Sequence, residues 1–88
     1  MFRMQGTIYK NGKMLRDCVS RQPGSIKSRT EKVLSALTEI CEYLDLAVPI
    51  WLDKNIREFQ RKSGTRFRAD SFVETIGFDY LEITVIEE

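Results

Sequence analysis

The sequence predicts an α+β fold: a two-layer sandwich whose mainly antiparallel sheet, an N-terminal β-hairpin plus a C-terminal strand, carries one long and one short helix on one face. Three observations predict it. Residues 2–10 alternate up to an Asn-Gly pair, residues 29–44 carry apolar side chains at helical spacing behind a capping signal, and residues 76–86 alternate again. With 88 residues, 42% of them apolar and 31% charged, the chain reads as a single domain, 1–88, with one core, and lies outside the composition of disordered chains.

Successive side chains of a strand leave opposite faces. Phe2, Met4, Gly6 and Ile8 therefore point one way, and Arg3, Gln5, Thr7 and Tyr9 the other. Asn11-Gly12 tolerates the positive φ of a two-residue hairpin turn, which makes Met14 to Ser20 the returning strand. Arg21-Gln22-Pro23-Gly24-Ser25 is a cluster of breakers and reads as a loop. Ser28-Arg29-Thr30-Glu31 fits a capping box. The helix it opens, 29–44, places Thr30, Val33, Leu34, Leu37, Ile40, Cys41 and Leu44 in a stripe of about 120°.

Leu46 to Leu52 is an apolar connection expected to tuck under the helices, with Trp51 as an anchor of the core. Asp53 is placed as the cap of a second helix running to about Ser63 and stopped by Gly64. Leu52, Ile56 and Phe59 fall on one side of it, and Lys54, Arg57 and Arg61 on the other. The backbone of Thr65 to Glu74 stays open, with Phe67 and Phe72 expected inside. In the final strand Leu81, Ile83 and Val85 form one row, and Phe78, Tyr80, Thr84 and Ile86 the other. The expected strand order is returning strand, first strand, C-terminal strand, with Glu87-Glu88 leaving the sheet in solvent.

A strand that is apolar on both faces has something on each side, and the helices cover only one. The row Phe78, Tyr80, Thr84, Ile86 is therefore the candidate self-association surface, since two-fold dimers are the commonest oligomers. The loop around Trp51 is the other candidate cover.

No catalytic chemistry is legible. The chain has no histidine, which removes the commonest general base and metal ligand together. Cys18 and Cys41 cannot make a four-ligand zinc site and read as buried, reduced thiols. The five glycines are scattered, so no phosphate-cradling loop appears. Asp79 and Glu82 face opposite sides of a strand, and Glu39 with Glu42 reads as a solvated helix face. No cofactor and no metal are expected. Met1 to Gly6 lacks the apolar region of a signal peptide, and apolar runs stay far below the ~20 residues that span a bilayer. The expectation is a cytoplasmic protein with no membrane partner.

Net charge is +1, but its distribution is uneven: residues 1–38 carry +6, 39–53 carry −4, 54–68 carry +5 and 69–88 carry −6. The basic stretch supplies one constellation, Lys54, Arg57, Arg61, Lys62, Arg66 and Arg68. Three of these cations share a helix face and two arginines flank Phe67, an arrangement that could meet backbone phosphates. A basic outer face also serves plain solvation, and Phe67 reads as core rather than as a stacking platform. The sequence therefore favours a non-catalytic interaction domain whose partner is another protein or a second copy of itself. The alternative is a nucleic-acid-binding accessory protein using the basic helix and the turn after it. An enzyme or small-ligand-binding domain comes third.

Overall fold

Asn11 and Gly12 both adopt positive φ, 54° and 76°, and fold β1 (Phe2–Lys10) back against β2 (Lys13–Gln22) in an antiparallel hairpin. The computed structural model describes residues 1–24 and 27–88. β2 continues two residues past its expected end, with Arg21 and Gln22 pairing with Arg3 and Phe2. Of the breaker cluster only Pro23, which lacks an N–H, ends the ladder; Ser25 lies outside the described residues.

Helix α1 (Arg29–Leu44) begins as its capping box dictates. Ser28 Oγ accepts the Glu31 N–H at 3.2 Å, and Glu31 Oε1 accepts the Ser28 N–H at 3.5 Å. The buried residues are Val33, Ala36, Leu37, Ile40, Cys41 and Leu44, while Thr30 and Leu34 lie exposed. The buried arc is thus turned away from the expected one by taking in Ala36. Ile40 lies directly on Gly6 of β1, where any Cβ would collide with the isoleucine side chain. Glycine in the centre of a strand lets this helix approach the sheet closely.

Helix α2 (Asp53–Lys62) is capped by Leu52, one residue before the expected Asp53. The polar group at this end comes from inside the helix: Asn55 Oδ1 accepts the Leu52 N–H at 3.1 Å. Asp53 instead opens the first turn, where a negative charge meets the helix dipole favourably. Gly64 does not terminate the helix either. Ser63 takes the left-handed conformation (φ 56°) and donates its N–H to the Phe59 carbonyl at 2.8 Å. Gly64 starts β3 (Gly64–Phe67), where a Cβ would sit 2.9 Å from the Ile83 carbonyl oxygen.

β4 (Tyr80–Glu87) pairs with β1, as the expected order requires, and β3 adds an edge strand, giving the all-antiparallel order β2-β1-β4-β3. A short 3-10 turn at Ala69–Ser71 follows β3. Ile76 and Phe78, expected in the strand, precede it. Asp79 turns the chain there: its N–H donates to the Tyr9 carbonyl at 2.8 Å, and its carboxylate accepts the Asn11 N–H at 2.8 Å. Phe78 packs edge-on against Phe72 instead.

The core lies between sheet and helices, with Met4, Ile8, Phe67, Leu81 and Ile83 meeting Leu37, Ile40, Leu44 and Phe59. Asn55 is the polar knot beside it. Its Nδ2 donates to Thr65 Oγ1 and to the Arg66 carbonyl, both at 3.0 Å, and its Oδ1 also accepts from Ser71 Oγ. Cys18 and Cys41 are free thiols; burial, with Cys18 beside it, pushes Cys41 up to about 11. No helix among the described residues is long and apolar enough to cross a membrane.

Candidate functional site

The amphipathic spacing of α2 points Lys54, Arg57 and Arg61 outward, and the edge position of β3 brings Arg66 and then Arg68 alongside. Lys54, Glu58, Arg66 and Arg68 share a hollow of about 150 Å³ between α2 and β3. Acids arrive with the bases. Lys54 Nζ lies 2.6 Å from Asp70, Lys62 Nζ 3.5 Å from Glu58, and Arg66 Nε 2.9 Å from Glu82. The Lys54 hydrogen bond holds the Asp70 carboxyl below its ordinary range, and a Thr65 hydrogen bond does the same for Glu58. Arg57, Arg61 and Arg68 have no carboxylate partner among the described residues. Phe67 is fully buried.

The row expected to meet a second copy does not form one surface. Phe78 is in the core layer, while Thr84 and Ile86 are exposed on the open face of the sheet. Tyr80 stacks on Tyr9 with ring centroids 5.2 Å apart. The guanidinium groups of Arg66 and Arg68 lie 4.8 and 5.0 Å from the Tyr80 ring centre. Glu82, between Tyr80 and Thr84 on this face, pairs with Arg66, so charge interrupts the apolar row. Glu87 and Glu88, expected free in solvent, are exposed but tied to Arg3 at 3.0 Å and Arg29 at 2.7 Å. The acidic end thus neutralises Arg3 and Arg29, not the outer side of α2.

The other carboxylates have structural partners or none. Asp79 holds the hairpin turn, and Glu39 accepts from Ser20 Oγ at 2.9 Å. No group of three acids or cysteines that could hold a metal ion occurs among the described residues.

An apolar groove of about 230 Å³ runs between α1 and α2. Val33, Trp51 and Phe59 line it together with Leu34 and Ile56, which are 49% and 42% exposed. Trp51, expected as a core anchor, is half-buried here. It meets Phe59 and Phe67 edge-on, at centroid distances of 5.4 and 5.0 Å. Its indole N–H is buried with no hydrogen-bond acceptor among the described residues, so aromatic packing holds the ring. Arg29 stands at one end, lying over the Phe59 ring and donating to Ser63 and Glu88. Leu34, expected in the sheet-facing stripe of α1, and Ile56, on the apolar side of α2, are both left exposed.

The chain matches no protein-family model, no curated protein and no solved structure.

Proposed function

We infer that the chain is a non-catalytic protein–protein interaction domain whose contact surface is the groove between α1 and α2. The observation that carries this reading is the pair Leu34 and Ile56, half-exposed over a floor of Val33, Trp51 and Phe59. Apolar side chains gathered in one concave surface mark binding sites more reliably than single exposed ones. A tryptophan already fixed by two aromatic neighbours loses little conformational freedom when a partner covers it. A groove between two helices suits the apolar face of a short amphipathic segment. Arg57 lies about 100° round the helix from Ile56 and Arg61 about 140°, both on the solvent side of α2 beyond the groove's own lining. Both lack carboxylate partners among the described residues, so the segment that fits carries apolar anchors with an acidic flank.

The test is selection of a displayed peptide library on the folded protein. Enriched peptides should combine apolar anchors with acids and perturb Trp51 fluorescence. They should lose binding to Leu34→Glu/Ile56→Glu and bind Arg57→Glu/Arg61→Glu more weakly. Absence of enrichment, or peptides that bind the groove variant equally well, overturns the reading. Salt-sensitive binding of labelled single-stranded RNA, lost in Arg57→Glu/Arg61→Glu while no peptide is selected, would instead assign the arginines to nucleic acid.

A further inference from the structure

We propose that the chain forms a two-fold dimer by antiparallel pairing of β2 with β2 of a second copy, in the register that sets Val19 on Val19. This surface is separate from the helix groove and stands or falls independently of it. β2 is one edge of the sheet: it pairs with β1 along its length and has no neighbour on its other side among the described residues. Such an edge presents a row of backbone N–H and C=O groups ready to pair. α1 does not close over it, since a hollow of about 330 Å³ lined by Asp17 to Ser20, Glu39 and Tyr43 opens beside the strand.

Two independent observations select the register, and a third shows that the pairing leaves room for the helices. The first is the extent of regular strand. The ladder with β1 is irregular at Leu15, where Ile8 pairs with Arg16 but Tyr9 pairs with Met14, and Pro23 closes the other end. The regular stretch is Arg16–Gln22, and its midpoint is Val19. The second is charge. A two-fold axis normal to the sheet keeps each face on its own side, so facing residues must come from the same row and the axis must pass through a residue. Centring on Asp17 opposes two carboxylates, and centring on Arg16 opposes two guanidiniums. Centring on Cys18 sets Asp17 against Val19, and centring on Ser20 sets Arg21 against Val19. Only Val19 places Asp17 opposite Arg21 of the second copy, twice, around a self-paired valine that is 43% exposed in the single chain.

The third is room for the helices. Ile40 rests on Gly6 of β1 while Glu39 takes the Ser20 hydroxyl of β2, so α1 runs above the seam between the two strands. Across the two-fold, the α1 axes stand about two strand spacings apart, ~9–10 Å, a distance at which helices pack. The result is one continuous eight-stranded sheet with both pairs of helices on the same face.

Sedimentation equilibrium with a charge-swap series tests this. The wild type is expected to be dimeric, and Arg21→Asp to weaken the dimer about tenfold or more, because each substitution sets like charges opposite one another twice. Asp17→Arg/Arg21→Asp should restore it. In a Cys18→Ser background, Val19→Cys should form an intermolecular disulfide on mild oxidation, since facing residues lie within disulfide reach. Asp17→Cys should not, because its copies lie ~13 Å apart along the strands. A wild type that stays monomeric at sub-millimolar concentration overturns the proposal. So does a dimer indifferent to Arg21→Asp, or one that cross-links through Asp17→Cys but not Val19→Cys.

Discussion

Replacing Asn55 by alanine tests whether one buried amide couples α2 to the sheet. The side chain is 1% exposed and makes four hydrogen bonds, to the Leu52 N–H, the Thr65 and Ser71 hydroxyls and the Arg66 carbonyl. The two hydroxyls can rotate to other partners. The Leu52 N–H and the Arg66 carbonyl are backbone groups and cannot. At about 1–3 kcal/mol per unsatisfied buried group, and with both sites only part-buried, the expected loss is about 2–4 kcal/mol. Total stability for 88 residues is of the order of 4–13 kcal/mol, so this is a large fraction. At 4–8 °C per kcal/mol it lowers Tm by roughly 8–32 °C.

Guanidinium denaturation followed by the fluorescence of Trp51, which packs on the adjoining Phe59 and Phe67, measures the loss. An unchanged m-value would show that the denatured state is unaffected. Asn55→Asp makes the test sharper. It keeps an acceptor for the Leu52 N–H but sets a buried carboxylate against the Arg66 carbonyl. It should be at least as destabilising at neutral pH and recover as the pH falls, because protonation removes the buried charge and restores a donor. A loss for Asn55→Ala below about 0.5 kcal/mol, the range of ordinary surface substitutions, would refute the reasoning. An aspartate variant indifferent to pH would do the same.

Gly6→Ala should cost about 1–3 kcal/mol through overpacking against Ile40, and the penalty should shrink when Ile40 is already alanine. A double-mutant cycle by chemical denaturation reads the coupling, and strict additivity would show that the two do not meet. Cys41, raised from its ordinary 9.0 to about 11 by burial, stays protonated in the folded chain after the unfolded chain has begun to ionise. Its contribution to stability is complete below pH 9 and is lost as the pH rises through 11. The stability difference between wild type and Cys41→Ala should therefore narrow over that interval, and a parallel pair of stability curves would contradict it. Thiol reagents should modify the half-buried Cys18 before Cys41.

Local chemistry sufficed for the hairpin turn and for α1, though not for the caps of α2. Asn11-Gly12 can hold positive φ where other residues resist it, so the hairpin was legible. Ser28 and Glu31 answer one another three residues apart, so α1 was bounded correctly at both ends of its predicted span. The alternation of residues 2–10 and 76–86 marked the first and last strands; their adjacency agrees with the expected order, but alternation assigns faces and not neighbours.

What depended on distant partners was not legible. Gly64 looks like a helix stop, yet its missing side chain serves the approach of β3 to Ile83, a contact made across nineteen positions of sequence. β3 itself is only four residues long, too short for a periodic signal, and it exists because β4 offers an edge to pair with. The basic constellation could be counted in the sequence, and Glu58 reaches Lys62 within α2 itself, but Asp70 and Glu82 meet Lys54 and Arg66 only once distant elements come together. Leu34 and Ile56 fall on the apolar sides of their helices. Whether such residues are core or surface is decided by what neighbouring elements cover, and here both remain largely exposed. Periodicity assigns a side chain to a face; only tertiary packing decides what, if anything, that face meets.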